Sequence, residues 1–121
     1  INKKASIVFI SSISGVYVSS VAGSLYSASK GAVNGIVKGM AIEMAGKQIR
    51  VNSVNPGMIE TNIFSGGTIS EEQLNEDKKR YPLKRYGKPE EGAYAVIYLL
   101  SDASSWTTGS NILIDGGYTL L

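Results

Sequence analysis

Tyr26 and Lys30 stand four residues apart in the stretch Tyr26-Ser27-Ala28-Ser29-Lys30. In a helix that interval puts both side chains on one face. A phenol titrates near about 10, too high to exchange protons readily at neutral pH. An ammonium beside it favours the phenolate, which is how a tyrosine becomes a usable general acid and base. The interval alone carries little weight, and its context adds more. Ser11 and Ser12 directly follow an apolar run, Ser6-Ile7-Val8-Phe9-Ile10. A hydroxyl at the end of a buried parallel strand stands where such sheets bind ligands, in reach of a substrate carbonyl oxygen. The plainer reading is that Ser11, Ser12 and Ser14 satisfy loop backbone. A third group follows in Asn55-Pro56-Gly57-Met58-Ile59-Glu60-Thr61. There Gly57 permits close backbone approach and Thr61 offers a hydroxyl to an amide or phosphate; a simple turn is the alternative.

These residues need elements to hold them. Residues 6–10 read as a strand buried on both faces, parallel and interior, because the apolar run is continuous and not alternating. From Leu25 to about Ala45 the apolar residues fall at helical spacing, with Ala28, Ala32, Val33, Ile36, Val37, Met40, Ala41 and Met44 forming a wide stripe. Gly31, Gly35 and Gly39 step along this helix every fourth residue, each at roughly 1 kcal/mol against Ala. Such a row fits close approach to another backbone, in a second subunit or in the chain's own sheet. Gly46 is the expected C-cap. A second strand is expected over 49–54, ended by Asn55-Pro56-Gly57. Ser70 and Gln73 form a capping box that opens a helix to about Arg80. Pro89 with Glu90 and Glu91 begins another, with Ala93, Val96, Ile97, Leu99 and Leu100 as its buried side. Residues 111–114 form a third strand, closed by Asp115-Gly116-Gly117.

Strands alternating with helices imply parallel pairing through right-handed crossovers, an α/β fold. Three parallel strands do not complete a domain covered on both faces. The sequence therefore reads as the C-terminal part of a sheet whose first strands are absent. The chain begins Ile1-Asn2-Lys3 without an initiator Met; a processed terminus and a piece cut from a longer chain both account for this.

Composition narrows the chemistry. The 121 residues carry 12 Lys and Arg against 10 Asp and Glu, a net charge of +2. The basic residues are scattered, and no nucleic-acid-binding face is expected. No apolar run approaches the roughly 20 residues of a membrane span. The chain contains neither cysteine nor histidine. That removes thiol catalysis, zinc sites built on those residues, and His-based triads, and it suits a cytoplasmic compartment. Proton transfer is left to Tyr, Lys, Asp, Glu or Ser.

Taken together, Ile10-Ser11-Ser12-Ile13-Ser14-Gly15, Tyr26-Ser27-Ala28-Ser29-Lys30, the 49–57 segment with Ile59-Glu60-Thr61, and Thr108-Gly109 through Ile114-Asp115-Gly116-Gly117 resemble the classical branch of the short-chain dehydrogenase/reductase family. The resemblance spans essentially the whole chain. It implies the C-terminal part of a single Rossmann-like, doubly wound domain over residues 1–121, and a nicotinamide cofactor, NAD or NADP. By resemblance, Ser12 polarises a substrate carbonyl and Tyr26 gives or takes the hydroxyl proton. Lys30 holds the nicotinamide ribose and lowers the pKa of Tyr26. The backbone of Pro56, Gly57, Met58 and Ile59 meets the carboxamide, with Thr61 beside it. The interval from Ser12 to Tyr26 is one residue longer than usual, an insertion in the 16–24 loop that leaves Ser14 as a lesser candidate. The family's glycine-rich phosphate-binding turn has no counterpart in this sequence, so the chain is expected to be inactive alone.

The family's long Tyr-Lys helix and the next one associate between subunits, so a homodimer or homotetramer through helices 25–46 and 89–101 is expected. Thr61–Arg85 matches the variable substrate lid. Its mixture of Ile63, Phe64, Ile69 and Leu74 with Lys and Glu implies a small carbonyl or alcohol substrate neither strongly anionic nor purely apolar. The pattern is most similar to bacterial 3-oxoacyl-carrier-protein reductases and their sugar- or polyol-dehydrogenase relatives. Two other readings are a non-catalytic association module on the same scaffold and a sugar-nucleotide epimerase or dehydratase.

Overall fold

The computed structural model describes residues 4–62 and 66–121. Residues 1–3, with Ile63 and Phe64 of the expected lid, lie outside the described residues. Three strands, β1 (Ser6–Ile10), β2 (Arg50–Pro56) and β3 (Asn111–Ile114), pair in parallel in the order β1-β2-β3. The registers run from Ser6 opposite Arg50 to Ile10 opposite Val54, and from Ser53 opposite Asn111 to Pro56 opposite Ile114. Helices α1 (Ser24–Met44), α2 (Glu71–Lys78) and α3 (Pro89–Leu100) occupy the connections. Parallel strands require such long crossovers.

Side-chain alternation along the strands settles which helix covers which face. Ile7, Phe9 and Val51 pack with Ile49 against Ala41, Met40 and Met44 of α1. The neighbouring Ser6 points the other way, its hydroxyl donating to the Leu99 carbonyl of α3 (2.6 Å). The sheet is thus layered between α1 and α3. Val37, Ile49, Val51, Val54 and Leu99 are essentially free of solvent contact. Each contributes on the order of 1.5–3 kcal/mol by burial.

Several expectations are corrected. Among the described residues β1 is parallel and pairs with β2 alone, so it is half-buried with Ile10 57% exposed, while β2 takes the centre. Helix α1 does not stop at Gly46. It tightens into a 3-10 turn over Ala45–Lys47, and the left-handed residue that ends it is Gln48 (φ 58°), whose N–H donates to the Ala45 carbonyl. On α3, Leu99 is buried and Val96 partly so, while Ala93, Ile97 and Leu100 face outward. A helix apolar nearly all round can lay only one stripe on a three-stranded sheet. The glycine row of α1 divides likewise. Gly31 meets the backbone of Gly15, whereas a Cβ on Gly35 or Gly39 would meet nothing within 4 Å. Those two do not pack on the chain's own sheet.

At the N-terminal ends of the strands, the Arg50 guanidinium donates to Ser104 Oγ (2.8 Å) and to the Ser101 carbonyl (3.0 Å), fastening β2 to the segment after α3. A cavity of about 590 Å³ opens beside it, bordered by Trp106, whose side chain is fully exposed. Among the described residues no helix is long and apolar enough to cross a membrane.

The capping boxes behave as local chemistry dictates. Ser70 Oγ accepts from the Gln73 N–H and Gln73 Oε1 from the Ser70 N–H. At α3 the Glu91 carboxylate accepts from the Lys88 N–H (2.7 Å) and from both terminal nitrogens of Arg85 (2.8 and 2.7 Å). The Arg85 fork first, and the Lys88 N–H second, hold the Glu91 carboxyl at about 2 against an ordinary 4.5. A depressed carboxyl stabilises the fold above its unfolded pKa and loses that contribution as pH falls toward the folded value. Wild type is therefore expected to resist urea better than Glu91→Gln at pH 7. The gap should close between pH 4.5 and about 2; a gap independent of pH in urea melts would refute the assignment.

Candidate active site

Past Ile10 the chain continues to pair with β2. The Ser11 N–H donates to the Val54 carbonyl (2.9 Å) and the Ile13 N–H to the Pro56 carbonyl (3.1 Å). These bonds hold the two serines at the C-terminal end of the sheet, where parallel sheets bind ligands. The two divide their roles. Ser11 Oγ donates to the Lys30 carbonyl (3.2 Å), the plain structural use. Ser12 Oγ accepts from the Ser14 N–H (3.1 Å), which fills a lone pair and leaves its own proton for another oxygen.

The loop that follows is laid directly on α1. Gly15 sits at φ 99°, and a Cβ there would stand 2.3 Å from the Ser27 carbonyl oxygen and 2.7 Å from the Gly31 nitrogen. Two backbones therefore meet without side chains between them, one carrying Ser12 and the other carrying Tyr26 and Lys30. Closer to the helix start, Ser20–Gly23 form a tight turn closed by the Gly23 N–H on the Ser20 carbonyl (3.1 Å), with Ala22 left-handed at φ 59°. The 16–24 loop turns here.

Tyr26 is half-exposed on the first turns of α1. Lys30 Nζ stands 5.8 Å from the centroid of its ring and donates to the Ile10 carbonyl at the end of β1 (3.3 Å). Ser12, Ser14, Tyr26, Pro56, Gly57 and Met58 line one cleft of about 300 Å³. Lys30 reaches the site through Tyr26 and Ile10 and does not line the cleft. Neither do Ile59 and Thr61. Ile59 lies against Gly87, bracketed by the Gly87 N–H on the Met58 carbonyl (3.0 Å) and the Glu60 N–H on the Gly87 carbonyl (2.8 Å). Thr61 is exposed. Close approach at Gly57 is to Asp115, whose Cα a Cβ would meet at 3.2 Å. Asp115 in turn orders the turn after β3. Burial pulls its carboxyl up, but the Thr119 N–H and hydroxyl and the Gly117 N–H together hold it below the ordinary range.

The cleft is also lined by Asp77, Arg80 and Tyr81, inside the 61–85 stretch expected as the substrate lid, and by Tyr118, to which the sequence reading attached no function. Tyr81 is buried; its hydroxyl accepts from the Met58 N–H (3.2 Å), and burial pushes its phenol up, so its proton stays in place. Its ring lies 4.8 Å from that of Tyr118 and 5.6 Å, edge-on, from that of Tyr86. The Tyr86 hydroxyl donates to Asp77 Oδ2 (2.7 Å), and burial, with that bond, raises its phenol too. The available signal was the density of tyrosine in 81–86 and directly after Gly117, where aromatic rings carrying hydroxyls cluster between polar neighbours.

Residues 1–119 match the family profile described as enoyl-(acyl carrier protein) reductase. The chain is 43% identical over 118 residues to a 3-oxoacyl-(acyl-carrier-protein) reductase of Thermotoga maritima, covering 98% of this chain and 47% of that protein. It is 40% identical over 123 residues to a ribulose-forming D-arabinitol 2-dehydrogenase of Candida tropicalis, covering 97% of this chain and 43% of that protein. A crystal structure of a short chain dehydrogenase family protein from Francisella tularensis superposes with a TM-score of 0.90 at 38% identity, over 99% of this chain and 53% of that one. The chain belongs to the short-chain dehydrogenase/reductase family. It spans about half the length of the relatives it matches.

The Gly15–Gly31 contact generates an asymmetric prediction. Gly15→Ala forces a Cβ into backbone at a left-handed φ and should cost about 3 kcal/mol or more. Gly31→Ala places its Cβ 3.9 Å from Gly15, an ordinary contact, and should gain up to about 1 kcal/mol from helix propensity. Thermal melts of the two variants that shift equally would contradict the contact.

Proposed function

We propose that the chain is the catalytic half of an NAD- or NADP-dependent oxidoreductase that interconverts a carbonyl and a secondary alcohol. The observation that carries this reading is the placement of Ser12 and Tyr26 in one cleft at the C-terminal end of a parallel sheet, with the Lys30 ammonium beside the Tyr26 ring. Family membership supports it, since the matched relatives include a reductase and a dehydrogenase.

The donor set fits the nicotinamide end of the cofactor. Lys30 keeps N–H donors beyond the one engaged by Ile10, and its Nζ stands 5.8 Å from the centroid of the half-exposed Tyr26 ring, a pair suited to a ribose diol. The rim of the cleft at Pro56, Gly57 and Met58 is where the ring would lie. No glycine-rich strand-to-helix turn stands among the described residues to seat the pyrophosphate. When bound, the dinucleotide supplies or accepts the hydride at the carbonyl carbon. In the direction of reduction the Ser12 hydroxyl keeps its proton and donates a hydrogen bond to the carbonyl oxygen, which draws charge toward that oxygen. Tyr26 then gives its proton to the same oxygen, completing the alcohol, and the Lys30 ammonium carries the compensating charge beside the phenolate. Oxidation reverses each transfer. No histidine is needed, in keeping with the composition.

The same reading includes association through α1 and α3. Leu25, Ile36 and Ile42 of α1 and Tyr94, Ile97 and Tyr98 of α3 are exposed apolar or aromatic side chains. Open space at Gly35 and Gly39 leaves room for a neighbouring helix. A cytoplasmic location and the absence of nucleic-acid or membrane partners belong to this proposal as well.

In the full-length protein carrying this chain, Tyr26→Phe should lower kcat for ketone reduction by a factor on the order of 10²–10⁴. Ser12→Ala should lower it by a smaller factor. Activity of Tyr26→Phe within a few-fold of wild type, across a panel of ketones with either nucleotide, would sink the reading. The 121-residue chain by itself is expected to show no turnover.

A further inference from the structure

The only full charges that line the cleft among the described residues, Arg80 and Asp77, pair with each other. Arg80 Nη1 donates to Asp77 Oδ1 (3.2 Å) one helical turn earlier. Its Nη2 donates to the Tyr118 hydroxyl, and the guanidinium lies 5.1 Å from the centroid of that ring. Asp77 is itself held by the Tyr86 hydroxyl (2.7 Å). The fork is thus fixed on two sides, with further N–H donors uncommitted. Around it the lining is rich in hydroxyls, those of Ser14, Ser19, Ser20, Tyr81 and Tyr118.

We propose that Arg80, clamped between Asp77 and Tyr118, is the specificity-determining residue of this cleft and selects small, uncharged, polyhydroxylated ketones and their alcohols. The inference rests on the oxidoreductase reading above and narrows it to a substrate class. Charge is the first argument. An anionic substrate would meet the Asp77 carboxylate beside the guanidinium, whereas a hydroxyl meets a neutral pair. Hydrogen-bond valence is the second. Substrate hydroxyls both donate and accept, and the wall offers guanidinium and phenol donors together with serine and tyrosine oxygens. A site built to bond hydroxyls discriminates strongly against an analogue that lacks them, because its own polar groups are then left unpaired.

The test uses the full-length protein and three probes: a neutral ketohexose, the corresponding keto-aldonate and cyclohexanone. Wild type should favour the ketohexose over both others in kcat/KM. Arg80→Met should reduce the ketohexose-to-cyclohexanone ratio by on the order of tenfold or more, chiefly through KM, and Arg80→Lys should restore part of it. Asp77→Asn removes the repelling charge and should raise the keto-aldonate rate relative to the ketohexose. Thermal melts identify any variant that fails to fold, and the wild-type preference stands as a test independent of the variants. A ratio unmoved by a folded Arg80→Met, or a wild type that reduces cyclohexanone in preference to the ketohexose, overturns the proposal while leaving the oxidoreductase reading intact. A wild type that reduces none of the three with either nucleotide overturns the substrate class, and the Tyr26→Phe comparison across the wider ketone panel decides the oxidoreductase reading separately.

Discussion

The cleft depends on a contact between two stretches of main chain at Gly15 and Gly31. Ser12 is delivered by the end of β1, whereas Tyr26 and Lys30 are delivered by α1, and this contact, together with the Ser11 hydroxyl on the Lys30 carbonyl and the Lys30 ammonium on the Ile10 carbonyl, sets the distance between the two elements on the ligand side of the sheet. A side chain on Gly15 would hold the loop away from the helix, and Ser12 with it. The constraint also explains why the loop between them is turned sharply at Ser20–Gly23, with Ala22 in a conformation that non-glycine residues seldom adopt. The segment must leave the helix surface and return to its first turn within few residues.

Beneath the cleft, the sheet is stiffened by polar groups that a purely apolar core would not need. Asn55 Nδ2 donates to Ser53 Oγ (3.0 Å), and Ser53 Oγ to Asn111 Oδ1 (2.5 Å), linking the two strands on the α1 face. Asn52 holds the approach to β3 at both ends, donating to the Thr107 carbonyl (2.9 Å) and accepting from the Ser110 N–H (3.0 Å). Buried polar groups that find partners fix register in a way that interchangeable aliphatic contacts do not. The ends of β2 and β3 that carry Pro56, Gly57 and Asp115 are consequently placed to within a hydrogen bond of one another.

Much of this was legible from residue types alone. The β1 and β3 bounds, the capping box at Ser70, Pro89 at the start of α3 and the Tyr26–Lys30 face all follow from local rules, and local rules act wherever the residues stand. What escaped was tertiary. Whether the β1 run is interior depends on what pairs with its other edge, which periodicity does not encode. The left-handed residue that closes the helical run is Gln48 and not Gly46, because a 3-10 turn over Ala45–Lys47 absorbs the glycine. The roles of Arg80, Tyr81 and Tyr118 lay hidden because they reach the cleft from segments far apart in the chain and belong to no local motif.

Trp106 stands fully bare at the end of the sheet remote from the cleft, and it is the sole tryptophan of the chain. An indole already bathed in water emits at the red end of its range, so unfolding leaves its colour almost unchanged and its spectrum is a poor monitor of denaturation. The same residue becomes a clean optical reporter for that distant surface: a blue shift in its emission means that something has come to cover it.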